Sequence, residues 1–303
     1  MKVLITGANG MVGRNLLETV PNGITLYYPT SAELDFRNLS DLNKYISDLR
    51  PDWVIHCASV VGGIQANIKE PYRYLTENLY INVNLVEACR INSVKNLINL
   101  SSSCVYPANL GRPYVESDLL NGKLEETNEG YALAKLAALK QVSYLRNTGD
   151  FNYSTLIPCN LYGRYDSFHP EKSHLVPAII AKVAKAKLLG AKEVEIWGSG
   201  MARREFLYTG DLAEYIWYAI KNGVNLPSEM NVGLGHDFSI LEYYDAVQEI
   251  MGTSLEYKFL LDKPEGMKSK LVNIELAKKY NWKAHTSLLE GLKRTINFYN
   301  DEI

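Results

Sequence analysis

The 303-residue chain holds only four cysteines, Cys57, Cys89, Cys104 and Cys159, and no two of them form a Cys-x-x-Cys pair. That scatter argues against a disulfide scaffold and a structural zinc site, and it fits a reducing compartment. An excess of one charge is also missing: 32 Lys and Arg face 34 Asp and Glu, a formal net charge of -2. Neither a basic arm for nucleic acid nor an acidic tail is therefore expected. No apolar run approaches the ~20 residues that cross a bilayer. The opening MKVLITGANG is too short in its apolar run for a secretory core, and it ends in glycines instead of a cleavage site. A cytoplasmic protein with no metal, membrane or nucleic-acid partner is the expectation. Internal repeats, low-complexity tracts and a Pro/Ser/Gly-rich linker are absent as well. The two units that this length suggests should therefore interleave.

What is present has a clear rhythm. Lys2–Thr6 is an aliphatic and β-branched run that stops at Gly7, and a helical pattern starts at Met11. Further strands are predicted over Thr25–Tyr28, Trp53–Ala58, Asn96–Leu100 and Tyr153–Pro158. Helices are predicted over Leu39–Leu49, Tyr72–Arg90 and Tyr131–Leu145. In the second of these, Leu75, Leu79, Val83 and Val86 recur at helical spacing. Strands alternating with such helices make βαβ units, hence a doubly wound α/β parallel sheet covered on both faces. After about Asn160 the rhythm changes. A loop over Arg164–Ser173 leads to helices at His174–Lys187, Leu212–Lys221, Ser239–Met251 and Ser287–Tyr299. Short strands at Val194–Trp197, Met230–Val232 and Glu256–Phe259 fall between them. A smaller mixed lobe is expected there.

Several constellations carry chemistry. Gly7-Ala-Asn-Gly-Met-Val-Gly13 sits between the first strand and the first helix, where glycines allow a tight turn and close approach of a pyrophosphate to the helix start. The end of the second strand reads Tyr28-Pro29-Thr30-Ser31, with neither an acid for a free ribose 2′-hydroxyl nor an Arg for a 2′-phosphate. NADP and NAD both stay open, with a lean to NADP because Thr30 and Ser31 can donate to a phosphate. Tyr131 and Lys135 stand one helical turn apart, and a cation there should lower the phenol pKa from about 10. Ser102 and Ser103 follow the fourth strand, within reach of a substrate oxygen beside that phenol. Cys104 comes next, and His174 opens the second lobe. A thiol and an imidazole on opposite sides of a ketone can remove and return α-protons, while a lone Cys or His is equally well read as packing.

These residues resemble the extended short-chain dehydrogenase/reductase superfamily, and within it the GDP-L-fucose synthase family. The strings that carry the likeness run over nearly the whole chain: GANGMVG, ELDFRN, VGGIQAN, SSCVYP, LEETNEGYALAK, PCNLYG, SHLVPA, WGSGMARREFLY and KPEGMKSKL. The resemblance implies a Rossmann domain over 1–160 and roughly 203–232, and a nucleotide-sugar lobe over 161–202 and 233–303. It implies NADPH reduction of a GDP-linked 4-keto-6-deoxy sugar after epimerisation at C3 and C5 in the same site. Tyr131 would donate the proton at O4, Lys135 would tune it and bind the nicotinamide ribose, and Ser102 would polarise the C4 carbonyl. Cys104 and His174 would be the epimerisation base and acid. Cofactor contacts would come from Gly7, Asn9, Gly10, Met11, Val12, Gly13, Ser31, Asp35, Ala58, Leu100, Ser102, Tyr131, Lys135, Pro158, Asn160, Leu161 and His174. Substrate contacts would come from Ser102, Ser103, Cys104, Tyr131, Asn160, His174, Lys182, Trp197, Arg204 and Glu265. A homodimer built on the helices near Tyr72–Arg90 and Tyr131–Leu145 is also implied.

The chain departs from the family pattern at several places. Asn9 and Ser31 stand where Arg is usual, Lys182 replaces an Arg, and Gly130 replaces the Pro before Tyr131. Ser167-Phe168 replaces Asn-Phe, and Arg164 follows Gly163. These changes leave NADP against NAD open. They also keep in view a reductase acting on a related GDP-4-keto heptose without epimerisation. A redox-neutral NAD-dependent 4-epimerase and a silent dinucleotide sensor are the more distant alternatives.

Overall fold

Val3, Leu4 and Ile5 are fully buried, as a strand covered on both faces must be. The computed structural model describes residues 1–169, 173–263 and 267–302. The first part of the chain runs β1 (Lys2–Thr6), α1 (Met11–Glu18), β2 (Thr25–Tyr27), α2 (Leu39–Leu49), β3 (Trp53–His56), α3 (Ile64–Lys69), α4 (Pro71–Ile91), β4 (Asn96–Leu100), α5 (Glu129–Arg146) and β5 (Asn152–Pro158). It continues through β6 (Asn160–Tyr162), α6 (Leu175–Leu188), β7 (Glu193–Trp197), β8 (Arg203–Arg204), β9 (Phe206–Tyr208) and α7 (Thr209–Lys221). The remainder is β10 (Glu229–Val232), β11 (Phe238–Ser239), α8 (Ile240–Met251), β12 (Glu256–Leu260), α9 (Glu275–Lys278) and α10 (Leu288–Glu302).

Six strands pair in parallel in the order β10-β5-β4-β3-β1-β2, which is the doubly wound sheet expected from the sequence. The order reverses at β1, which pairs with β2 on one side and β3 on the other. Such a reversal opens a crevice at the carboxyl ends of the strands. One face of the sheet packs Leu16, Leu136, Leu139, Leu212, Ile216 and Trp217 from α1, α5 and α7. The other face packs Leu42, Ile46, Leu85 and Val86 from α2 and α4. A separate core joins α6, α8 and α10 through Val176, Ile180, Tyr243, Val247, Leu292 and Ile296. There β12 lies parallel to β7, and β6 pairs with β9. Among the described residues no helix is long and apolar enough to cross a membrane.

The predicted elements all form, with ends shifted by a few residues. The register of α4 is the informative difference. Its buried face carries Asn78 and Asn82 beside Tyr74, Leu85 and Val86, while Val83 lies exposed. Both amides are paired inside the fold, so their burial costs little. Asn82 Oδ1 meets His56 Nε2 at 2.9 Å and its Nδ2 donates to Ala134 O at 3.2 Å. Elements absent from the sequence reading, α3, α9 and strands β6, β8, β9 and β11, span two to six residues each, too few for a periodicity to show.

Candidate functional site

The residues singled out at the strand ends converge on the crevice. β1 delivers the chain to Gly7, whose φ is 71° and where a Cβ would meet Ala58 N at 2.6 Å. Gly13 is as constrained, since a Cβ there would stand 2.4 Å from Ala8 Cα and from Gly7 O. Gly10 differs: its nearest neighbour would be Gly7 O at 3.4 Å, which leaves open space over the turn. Gly10 caps α1 without a side-chain bond, and the first turn holds no acid. The N–H groups of Met11, Val12 and Gly13 lack intrahelical partners and aim the positive helix end into that space. This cradle fits a dinucleotide's diphosphate.

At the ribose end, Asn9 and Ser31 are exposed. Glu33 accepts from Thr30 N at 2.7 Å and from Thr30 Oγ1 at 2.9 Å, so that Thr30 hydroxyl proton is committed within the turn. Asp35 is held by Arg37, whose Nε and Nη2 each donate to it at 2.9 Å. The arginine keeps this exposed carboxyl below its ordinary pKa.

The reacting groups come from β4 and α5. Ser102 follows β4 and heads a single 3-10 turn over Ser103–Val105, its Oγ accepting from Cys104 N at 3.4 Å. Tyr131 and Lys135 face this turn from α5. Lys135 Nζ lies 5.8 Å from the Tyr131 ring centroid and donates to Leu100 O at 2.9 Å. Lys135 is 2% exposed, and burial draws its pKa down to about 8. One expectation is corrected here. Burial pushes the Tyr131 phenol up, Cys104 beside it adds to the rise, and the Ser59 hydroxyl opposes it by a smaller amount. A neutral phenol is the outcome, suited to donating a proton.

Cys104 is buried, and burial raises its thiol pKa. The Lys270 charge, the Ser102 hydroxyl and Lys135 all oppose that rise. Lys270 arrives from the segment after β12 and faces Cys104, Glu125 and Arg204. It and Ser59 are site residues that the sequence reading did not single out. Lys270 was visible only as part of the KPEGMKSKL string, and Ser59 carried no signal of its own. His174 caps α6 with its backbone, and its imidazole makes no hydrogen bond among the described residues. His174 is exposed, and the atoms packed around its imidazole lower its pKa by desolvation. The structure thus brings Ser102, Cys104, Tyr131 and Lys135 together, while His174 stands at the head of α6 with no contact to them among the described interactions.

The remaining expected contacts lie where β5 passes into the second core. Pro158 is buried, Leu161 is partly buried, and Asn160 Nδ2 donates to Glu205 O at 3.1 Å. Lys182 Nζ sits 5.4 Å from the Trp197 ring centroid, and half of Trp197 is exposed. An open indole beside a cation can stack a planar base and attract a phosphate. Arg204 is partly buried and donates to Met267 O at 2.6 Å. Between these groups, Glu205 is fully buried and accepts from Leu234 N at 2.7 Å and from Gly235 N and Val272 N at 2.8 Å. One carboxylate therefore fastens the strand bearing Arg204 to the segment bearing Lys270. Burial raises its pKa to about 7. Glu265 lies outside the described residues. A surface hollow of about 380 Å³ at the amino ends of β4 and β5 includes Lys95 and Arg146, but both are already bonded to neighbouring groups.

Comparison with known proteins gives a consistent picture. The model of the NAD dependent epimerase/dehydratase family matches residues 3–233. GDP-L-fucose synthase of Azorhizobium caulinodans is 47% identical over 299 residues, 98% of this chain and 96% of that protein. GDP-L-colitose synthase of Yersinia pseudotuberculosis is 42% identical over 304 residues, 100% of this chain and 99% of that one. Among solved structures, the GDP-mannoheptose C4 reductase of Campylobacter jejuni with NADP bound superposes with a TM-score of 0.87 at 29% identity, covering 99% of this chain and 98% of that one.

Proposed function

Because the chain belongs to the NAD dependent epimerase/dehydratase family, and within it to the GDP-L-fucose synthase group, we propose that it is an NADP(H)-dependent reductase of a GDP-linked 4-keto-6-deoxy sugar that also epimerises C3 and C5. The observation that carries this reading is the meeting of Ser102, Cys104, Tyr131 and Lys135 at the carboxyl end of β4. The nicotinamide supplies the hydride for C4. Gly7, Gly10 and Gly13 with the N–H groups of Met11 and Val12 cradle the diphosphate, Asn9 and Ser31 serve the 2′-phosphate, and the backbone at Asp35 borders that pocket. Ala58, Leu100, Pro158, Asn160 and Leu161 line the rest of the cofactor cleft.

Ser102 hydrogen-bonds the C4 carbonyl oxygen, and Tyr131 delivers its phenolic proton to the same oxygen as the alkoxide forms. Protons at C3 and C5 are acidic because they lie α to that ketone, and the same two hydroxyls steady the enolate. Cys104, with Lys270 offsetting the burial of its thiolate, removes these protons, and His174 returns them from the opposite face. Trp197 stacks the base, Lys182, Arg204 and Lys270 neutralise the GDP phosphates, and Ser103, Asn160 and Glu265 contact the sugar nucleotide. In this reading the dinucleotide is held by 1–160 with 203–232 and the sugar nucleotide by the remaining lobe. The enzyme works as a homodimer, and in the cytoplasm, where its four free thiols persist.

Incubation with the GDP-4-keto-6-deoxyhexose in D2O, read by mass spectrometry, tests the reading. The wild-type protein is expected to take up deuterium at C3 and C5 and to consume NADPH. Cys104→Ser should lose the exchange, and Tyr131→Phe should lose reduction by at least ~100-fold while exchange, with the enolate steadied by Ser102 alone, is slowed but persists. Reduction without label uptake would leave a C4 reductase alone. That second reading is favoured by the burial that raises the Cys104 thiol.

A further inference from the structure

Two strand ends and two helices meet around a buried imidazole. His56, the last residue of β3, is fully buried, and so are Thr6 at the end of β1 and Asn82 on α4. Their hydrogen bonds can be given a direction one by one. Asn82 Nδ2 lies 3.2 Å from Ala134 O, and a carbonyl only accepts, so that atom is the amide nitrogen and Oδ1 is the oxygen. His56 Nε2 stands 2.9 Å from this Oδ1 and must therefore carry the proton. Full burial and the nearby Lys135 charge keep the imidazole neutral, with its pKa drawn down to about 3, so Nδ1 is left as an acceptor. Thr6 Oγ1, 2.7 Å away, donates to it and accepts in turn from Ala58 N at 3.2 Å.

We propose that His56 and Asn82 are positioning residues for the reduction: an Nε2–H imidazole and its amide partner tie the turn of α5 that bears Tyr131 and Lys135 to the ends of β1 and β3. The inference rests on the reading of Tyr131 and Lys135 as the reacting pair. Ala58 N–H donates to Thr6, Thr6 to His56, His56 to Asn82, and Asn82 to Ala134, so every bond points the same way and each strengthens the next. At one end, Ala58 N is the atom that a Cβ on Gly7 would strike, so the series starts at the floor of the nucleotide turn. At the other end, Ala134 precedes Lys135 and lies three residues past Tyr131. Gly130, just before Tyr131, is pressed on α4 as well, since a Cβ there would stand 2.6 Å from Pro71 O. The phenol is thus bracketed by two anchors to α4, one of which continues into the sheet. The bond from Lys135 Nζ to Leu100 O fixes a side chain, whereas Asn82 fixes the backbone that carries it. Hydride and proton delivery need phenol, ammonium and nicotinamide in one geometry, and a misplacement of about 1 Å is enough to slow such a step.

The test measures reduction of the GDP-4-keto-6-deoxyhexose by Asn82→Leu, His56→Leu and His56→Gln, with NADPH affinity followed by fluorescence titration. Asn82→Leu keeps the side-chain volume and removes the tie, and it is expected to lower kcat about tenfold. Its Kd for NADPH should stay within about twofold, because the nucleotide turn keeps its glycines and the bond from Ala58 N to Thr6. His56→Leu should lower kcat as far, and His56→Gln, whose amide N–H reaches toward Asn82 Oδ1, should recover most of the loss. An unchanged kcat in Asn82→Leu, an NADPH affinity that falls as far as kcat does, or a glutamine variant no faster than the leucine one overturns the proposal. The wild-type protein supplies a measurement that needs no variant. With isotope-labelled histidine, nuclear magnetic resonance should show His56 protonated on Nε2 and bare on Nδ1, unchanged between about pH 5 and 9. A proton on Nδ1, or titration within that range, overturns the proposal too. If Tyr131→Phe keeps full turnover, the reading of the reacting pair falls. An inactive Tyr131→Phe beside an unaffected Asn82→Leu removes the positioning role alone.

Discussion

Lys135 is a charge held against burial in the proposed site. Its pKa of about 8 in the folded chain, against 10.5 for a free side chain, means that folding disfavours its charged form. The penalty is present in full below pH 8 and fades as pH rises from 8 to 10.5, where both states lose the proton. At neutral pH it amounts to about 3 kcal/mol, of which roughly 1 kcal/mol is offset by the bond to the Leu100 carbonyl. Lys135→Met should therefore raise the apo protein's stability to urea by about 1–2 kcal/mol at pH 7, with the gain shrinking by pH 10. The same variant should lose reductase activity by at least ~100-fold. A melt at both pH values checks the first part, and equal stability at pH 7 would show that the ammonium is not strained. The sequence made Tyr131, Lys135, Ser102 and Cys104 legible because each pair lies within one turn of chain. It could not reveal the sign of the phenol's shift, since burial decides that and burial is a property of the whole fold. Ser59 and Lys270 were hidden for a related reason, lying far in sequence from the groups they meet.

Among the elements, the β1–α1 turn separates two uses of glycine. Gly13 is needed by the protein, because a Cβ would collide with Ala8 Cα and Gly7 O at 2.4 Å. Gly10 is needed by the ligand, because a Cβ would meet no protein atom closer than 3.4 Å and would fill the cradle. Gly10→Ala should leave the apo melting temperature nearly unchanged and weaken NADPH binding at least ~10-fold in a fluorescence titration. Gly13→Ala should lower stability by about 2 kcal/mol or more before any ligand is added. Equal apo stabilities for the two variants would refute the distinction. The spacing of these glycines was plain in the sequence, and so was the alternation that builds the sheet around them. The register of α4 was not. Leu75, Leu79, Val83 and Val86 suggested an apolar seam, but paired asparagines occupy much of the buried face. Periodicity counts apolar residues and cannot see that His56, Val60 and Ala134 will be waiting with matching hydrogen-bonding groups. The short strands at Arg203–Arg204 and Phe206–Tyr208 escaped for want of length, although Glu205 between them ties Arg204 to the lobe boundary.

At the scale of the molecule, that rotation of α4 leaves an apolar surface outside. Tyr72, Tyr80 and Val83 are exposed on α4, and Leu133 and Tyr144 are exposed on α5, which packs beside it. On each helix these residues recur at helical spacing, so they form one face. Exposed apolar faces of this kind mark association surfaces, and two copies of the α4–α5 pair would bury theirs in a four-helix contact. Tyr80→Glu combined with Tyr144→Glu would place carboxylates in that contact, and sedimentation should then give the monomer mass where the wild type gives twice it. Every described residue of the proposed reaction comes from a single chain, and Tyr131 and Lys135 point from α5 toward β4, away from this face. The monomeric variant should accordingly keep kcat within a factor of about three of the parent. A wild type that sediments as a monomer removes the dimer. A variant that dissociates and loses turnover altogether would mean instead that the partner's helices hold α5, and with it the phenol, in place.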